Sequence, residues 1–183
     1  MLPINEIIYS EKLRNIIYEN RQFYNIYGCI LYTPAHPNII KVLRDPDYWN
    51  DFDYSSTEKF PILAFKPNDS GLNSKEQLKG INDLFFDLFG ISETDLPCFI
   101  LFECQDDYNF ICYRAKLNDD TIGKAQIYLS EIIDLISKNI NKFEKTDKPI
   151  YPYSKIKHKL IKFVVIKKTV RILDVLQYIK GFF

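Results

Sequence analysis

Two short apolar segments, each closed by a proline, constrain the fold of this chain more than any other feature. Residues 27–32 read YGCILY and residues 60–65 read FPILAF, and a residue–proline pair follows each of them. Their length and lack of charge are typical of buried strands. The segment 38–44 between them predicts a helix that Asp45-Pro46 ends. A strand–helix–strand unit of this kind favours parallel neighbouring strands.

The rest of the chain adds helices and a strand hairpin to this unit. Apolar residues at helical spacing predict helices over 6–20, over 75–89 with Gly90 as its end, and over 122–140. The segments 96–104 and 110–117 predict two antiparallel strands joined by a polar turn. With 46% hydrophobic and 26% charged residues, the chain has the composition of a globular protein and not of a disordered one. We therefore predict an α/β fold with a mixed sheet and helices on both faces.

One local stretch resembles the thioredoxin-like superfamily. It consists of Leu88-Phe89-Gly90-Ile91, a short spacer, and a strand that opens with Leu96-Pro97-Cys98, followed by the hairpin and a terminal helix. The resemblance covers about residues 26–140. It implies a three-layer sandwich around a mixed four-stranded sheet, here with an extra N-terminal helix and a basic, helical C-terminal extension. It also implies that Pro97 is a cis proline beside the family's active site, and we include it among the candidate binding residues.

The sequence departs from this family at the redox motif. The family carries two cysteines just after the first core strand, where this chain has Thr33-Pro34-Ala35-His36-Pro37-Asn38. A dithiol mechanism requires an attacking thiolate and a second, resolving thiol. We therefore expect no ordinary disulfide oxidoreductase activity and no cofactor. The four cysteines and two histidines also lack the close pairing of a zinc site, so we predict no metal.

A different chemistry remains as an alternative at the same place. Cys98 follows Pro97, and His36 lies on the loop that the resemblance places across from it. A thiolate paired with an imidazole is a workable nucleophile. The alternative interpretation is that Cys98 is a small buried hydrophobe and His36 a loop residue bonded to backbone.

An aromatic and acidic segment, residues 45–54, is the next candidate, and we predict that 47–56 forms a loop. Its four aromatic residues are the candidate binding residues Tyr48, Trp49, Phe52 and Tyr54. Large aromatic side chains of this kind often dominate protein interfaces. The alternative is that the aromatic rings pack on the core while the aspartates remain in solvent.

The charge of the chain is divided unevenly. Residues 1–144 hold 14 basic and 22 acidic residues, a charge of −8, and residues 145–183 hold 10 basic and 2 acidic residues, a charge of +8. We expect 1–144 to form the thioredoxin-like domain and 145–183 a basic amphipathic helical extension. The candidate binding residues of this extension are Lys157, Lys159, Lys162, Lys167, Lys168 and Arg171. The acidic domain itself, a protein partner, nucleic acid or an anionic membrane surface would each suit it.

These observations together favour a non-catalytic, thioredoxin-like protein-interaction module, an adaptor or subunit of a bacterial complex. Its partner would be another protein or a second copy of the chain. The alternatives are a divergent thiol enzyme that uses Cys98 and a nucleic-acid accessory protein that uses the basic extension. The sequence shows neither a signal-peptide pattern nor an apolar segment long enough to span a bilayer, so we expect a cytoplasmic protein.

Overall fold

A computed structural model of the chain describes residues 2–3, 26–56, 60–67, 73–104, 109–140 and 166–171. The strands within these ranges are β1 (Leu2–Pro3), β2 (Ile26–Leu31), β3 (Ile62–Ala64), β4 (Cys98–Cys104), β5 (Asn109–Lys116) and β6 (Ile166–Arg171). The α-helices are α1 (Pro37–Arg44), α2 (Pro46–Ser56), α3 (Asn73–Phe89) and α4 (Ile122–Ile140), and a short 3₁₀ helix, Glu93–Asp95, precedes β4.

The strands form one mixed sheet in the order β1-β3-β2-β4-β5-β6. β1, β3 and β2 are parallel, whereas β4, β5 and β6 are each antiparallel to their neighbours. The chain leaves β2, passes through α1 and α2, and returns as β3 beside β2, which is the predicted strand–helix–strand crossover. The predicted α/β class and the mixed sheet of the four strands β3, β2, β4 and β5 are confirmed.

Helices cover both faces of the sheet. Along β4, neighbouring side chains point to opposite faces. On one face, Ile132 and Ile136 of α4 lie beside Phe99. On the other face, the ring of Phe89 from α3 lies 5.2 Å from the ring of Phe102. The apolar core therefore occupies two layers, one between the sheet and α4 and one between the sheet and α3.

The central strand β2 packs so tightly that it requires a glycine. All six residues of β2 are buried. A Cβ added at Gly28 would lie 2.6 Å from Cζ of Phe99 and 3.2 Å from Cγ1 of Ile62. The absent side chain of Gly28 thus makes room for the Phe99 ring, a packing requirement that the sequence analysis missed.

The prediction of a loop over 47–56 is wrong, because this segment is helix α2. Pro46 is the first helical residue, a position where its missing N–H is not needed. Asp45 caps the helix, since its Oδ1 accepts a hydrogen bond from the Asp47 N–H over 2.9 Å. Trp49 and Phe52 are buried on one face of the helix. Tertiary packing of that face stabilises a helix whose acidic, aromatic sequence does not indicate one.

The prediction of an amphipathic helix in the basic extension is wrong over 166–171, where the structure has the strand β6. The outer edge of β5 presents unpaired N–H and C=O groups, which an adjacent strand satisfies. The β-branched residues Ile166, Thr169 and Val170 favour that pairing. This part of 145–183 therefore belongs to the sheet. The predicted helix over 6–20 and most of the extension, with Lys157, Lys159 and Lys162, lie outside the described residues.

Candidate functional site

Three loops meet at one end of the central strands of the sheet. Leu31, at the end of β2, is the partner of Cys98 at the start of β4, and Cys98 is in turn the partner of Lys116 at the end of β5. The segments that follow β2, precede β4 and follow β5 are therefore neighbours. The residues of interest there are Thr33, His36, Leu96, Pro97, Lys116 and Asp119, and we call this site the Pro97 corner. The Leu96–Pro97 peptide bond is cis, as the family resemblance implies.

His36 is half-buried in the Pro97 corner and is oriented by Thr33. The Thr33 backbone N–H donates to Nδ1 of His36 over 3.0 Å, and the Thr33 hydroxyl lies 3.0 Å from the same nitrogen. Because a backbone N–H can only donate, Nδ1 is the acceptor. We therefore assign the proton of the neutral ring to Nε2. This geometry agrees with the interpretation of His36 as a loop histidine bonded to backbone.

The surroundings of His36 favour its neutral form. Burial lowers the pKa of His36, and the positive charge of Lys116 lowers it further. The negative charge of the Asp119 carboxylate is the largest opposing influence, and it does not cancel the shift. The neutral form of the His36 imidazole therefore predominates at pH 7.

Asp119 occupies the N-terminus of α1. Its carboxylate Oδ1 accepts a hydrogen bond from the Ile39 backbone N–H over 2.6 Å, and its backbone carbonyl accepts one from the Asn38 side-chain amide, also over 2.6 Å. The side chain of His36, at the N-cap position itself, makes no capping hydrogen bond. A negative charge at a helix N-terminus is favourable. Asp119, which comes from the loop after β5, thus replaces a local cap.

Two cations of β5 hold the loop that precedes Pro97. Nζ of Lys116 donates to the Thr94 carbonyl over 3.2 Å and also to the Leu96 carbonyl. The guanidinium of Arg114 forms an ion pair with the Asp95 carboxylate. Burial alone would raise the pKa of Asp95, but the hydrogen bond from the Ser92 N–H and the Arg114 charge outweigh it and lower the pKa. These contacts fix the position of Leu96 and hence of Pro97.

The thiols near the corner are inaccessible and protonated. Cys98 and Cys29 are fully buried. Burial raises the pKa of Cys98 to about 12 and also raises that of Cys29. The thiolate, which is the reactive form of a cysteine, is therefore almost absent at Cys98 at pH 7. Cys98 and His36 form no hydrogen bond with each other, and the structure therefore favours the interpretation of Cys98 as a buried hydrophobe.

The four aromatic candidates of 45–54 divide between the core and the surface. Trp49 and Phe52 are buried, and Nζ of Lys66 lies 4.9 Å from the centre of the Trp49 ring. Tyr48 is half-buried and packs against the core. Only Tyr54 is open to solvent, with 91% of its surface exposed. The exposed residues of α2 that share its outer face, at helical spacing, are Asp47, Asn50, Asp51 and Tyr54, which we call the Tyr54 face.

The described part of the basic extension lies on β6, at the edge of the sheet. Lys168 is the partner of Cys112, Lys167 of Tyr113, and Arg171 of Asn109. The structure thus places the candidates Lys167, Lys168 and Arg171 beside β5. In the sheet, β4 and β5 lie between β6 and β2. These three basic residues are therefore not neighbours of Thr33 and His36, which follow β2.

The site residues that the sequence analysis missed are Asp119, Lys116, Arg114 and Asp95. Their partners are far away in the chain: Asp119 and Ile39 are separated by 80 residues. No local pattern identifies such pairs, because the strand register creates them. Only the resemblance, which placed the loop of His36 beside Pro97, could have directed attention to the loop after β5.

Among the described residues, no group of three or more histidine, cysteine, aspartate or glutamate side chains is arranged to hold a metal ion. None of the helices that the structure describes is long and apolar enough to cross a membrane. No protein-family model matches the chain, and no curated protein matches it either.

Proposed function

We propose that this protein is a thioredoxin-like module that has no thiol chemistry and acts by binding another protein, as an adaptor or subunit of a complex. The four central strands β3, β2, β4 and β5, of which β3 and β2 are parallel and β4 and β5 are antiparallel to their neighbours, support the proposed relationship. The helices on both faces and the proline that opens β4 support it as well. The function is argued from the site itself, because one fold serves many activities.

The observation that carries the proposal is the position of Asp119. In dithiol proteins, a helix N-terminus stabilises the reactive thiolate and lowers its pKa. Here the corresponding N–H group, that of Ile39, donates to the Asp119 carboxylate. A second negative charge at this place would be repelled by the first. The corner is therefore arranged to hold a fixed carboxylate, and it disfavours a thiolate.

The Tyr54 face supplies the contact surface in this proposal. A tyrosine with 91% of its surface exposed is well suited to an interface, because it buries a large area and also offers a hydroxyl group. The carboxylates of Asp47 and Asp51 flank it and favour a partner surface that carries basic residues. Trp49 and Phe52 lie beneath it in the core and give the face a rigid support.

Site-specific photo-cross-linking in the host organism tests the proposed function. A photoreactive phenylalanine analogue replaces Tyr54 in one variant and Lys79 in a matched control, since Lys79 is exposed on α3, on the opposite side of the sheet. We expect a discrete adduct of one partner from position 54 and none from position 79. The adduct should be lost when Asp47 and Asp51 are both changed to asparagine. Absence of an adduct from position 54, or the same adducts from both positions, would contradict the proposal.

A further inference from the structure

A cavity of about 210 Å³ lies beside β5, on the α3 side of the sheet. Among the described residues, its wall combines four apolar side chains with one ion pair: Phe89, Ile91, Ile100, Cys112, Asp95 and Arg114. A cavity of about 150 Å³ is large enough to bind benzene. The present cavity therefore has room for a ring of that size with a small polar group attached.

Arg114 is the polar group that this cavity offers to a ligand. Its side chain is 16% exposed, and one of its nitrogens pairs with Oδ1 of Asp95. Oδ2 of Asp95 is used elsewhere, because it accepts hydrogen bonds from the N–H and the hydroxyl of Ser92. A guanidinium has five N–H donors. Within the part of the chain that the structure describes, Arg114 has no other hydrogen-bond or ion-pair partner, so donors remain available at the cavity wall.

We propose that this cavity binds a small monocarboxylate with an apolar body, the carboxylate on Arg114 and the body among Phe89, Ile91, Ile100 and Cys112. An arginine fork matches a carboxylate in geometry and charge. Asp95 stays next to the guanidinium, so a singly charged anion suits the site better than a phosphate dianion, which Asp95 would repel. Apolar walls with one convergent polar group are typical of small-molecule sites. This proposal does not depend on the proposed function.

Benzoate is the probe for this site. Two matched controls each lack one of its two groups: benzyl alcohol has no carboxylate, and acetate has no aromatic ring. Titrations of the full chain are followed by the amide signals of Ile91, Ile100 and Arg114. We expect saturable shifts of these signals with a dissociation constant of about 1 mM for benzoate, as is ordinary for a ligand of this size. The two controls should bind at least about tenfold more weakly. No saturable shift with benzoate up to about 10 mM, or equal binding of benzyl alcohol, would overturn the proposal.

Two variants and one control complete the test. Arg114→Gln should weaken benzoate binding by at least about tenfold, because it removes the charge-assisted hydrogen bonds. Cys112→Phe fills the cavity, leaves Arg114 and Asp95 in place, and should abolish benzoate binding. This second variant tests the site independently if Arg114→Gln does not fold. Lys79→Gln, a charge change on the exposed side of α3, should bind benzoate as the unaltered protein does. Unchanged binding by Cys112→Phe would show that benzoate binds elsewhere and would overturn the proposal.

Discussion

The Asp119 carboxylate accepts a hydrogen bond from the Ile39 backbone N–H over 2.6 Å, although 80 residues separate the two in the chain. The bond connects the loop after β5 to the first turn of α1. It satisfies one of the backbone donors that every helix leaves free at its N-terminus. It also places a negative charge beside His36 and opposes the fall in the pKa of that imidazole.

Removal of this cap should destabilise the protein. Asp119→Ala leaves the Ile39 N–H without its acceptor and should lower the free energy of unfolding by about 1–2 kcal/mol, measured by urea denaturation. Asp120→Ala is the matched control, because Asp120 is exposed and pairs only with neighbours in the same turn and helix. Its effect should be much smaller than that of Asp119→Ala, because an exposed ion pair contributes little to stability. Equal effects of the two substitutions would show that Asp119 does not act as a cap.

The stability of the fold should depend on pH through His36. Its folded-state pKa is lowered, whereas the unfolded chain protonates near the usual value of about 6.5. The unfolded state therefore binds more protons as the pH falls through this value, and the protein loses stability below about pH 7 until the lower folded-state pKa is reached. His36→Gln should make this decrease smaller.

The titration of His36 can also be followed directly. The chain has only two histidines, so His158→Gln leaves His36 as the single imidazole signal in a proton NMR titration. Its midpoint should lie below about 6.5. Asp119→Asn should move the midpoint lower still, because it removes the charge that favours the imidazolium form. A midpoint at or above the usual value would contradict the described surroundings of His36.

Two glycines should respond in opposite ways to the same substitution. Gly28→Ala places a Cβ 2.6 Å from the Phe99 ring and should cost about 1–3 kcal/mol of stability. Gly80→Ala, in the exposed middle of α3, meets no atom within 4 Å and should stabilise the protein by about 0.5–1 kcal/mol. Thermal denaturation of both variants provides the measurement. A neutral Gly28→Ala would contradict the packing of Phe99 across β2.

Two aromatic residues of α2 should differ in how much they contribute to stability. Trp49→Ala empties a buried position beside Lys66 and should cost about 3–5 kcal/mol. Tyr54→Ala removes a side chain that is 91% exposed and should change stability by less than about 0.5 kcal/mol. Chemical denaturation separates the two predictions. A large loss of stability in Tyr54→Ala would show that this ring is part of the folded core and is not available to a partner.

Strands and helices could be predicted from the sequence where the local pattern of apolar residues matches their burial in the fold. The apolar runs of β2 and β3 are short and end at prolines, so each could be recognised as a buried strand. The apolar spacing of α3 and α4 likewise identified these helices. Helix α2 was not predicted because only three of its residues are buried, namely Trp49, Phe52 and Ser56. The acidic residues between them leave no clear apolar pattern with helical spacing.

Features that depend on the strand register could not be predicted locally. The pairing of Arg114 with Asp95 requires β5 to lie beside the loop before β4. Likewise, β6 is a strand because the edge of β5 accepts it, although its own sequence also fits a helix. Such relationships arise from tertiary contacts that override local propensity.

The reactivity of the buried thiols is the most direct test of the proposed module without thiol chemistry. A variant with Cys104→Ser and Cys112→Ser retains Cys29 and Cys98, which are both buried; Cys112 is replaced as well because it lines the cavity beside Arg114. Folded and urea-denatured samples are treated with a chromogenic aromatic disulfide at neutral pH. We predict that the folded variant releases almost no thiolate dye while the denatured variant releases two equivalents. Rapid release of one equivalent from the folded protein, or catalytic reduction of a protein disulfide by the unaltered chain, would contradict the account.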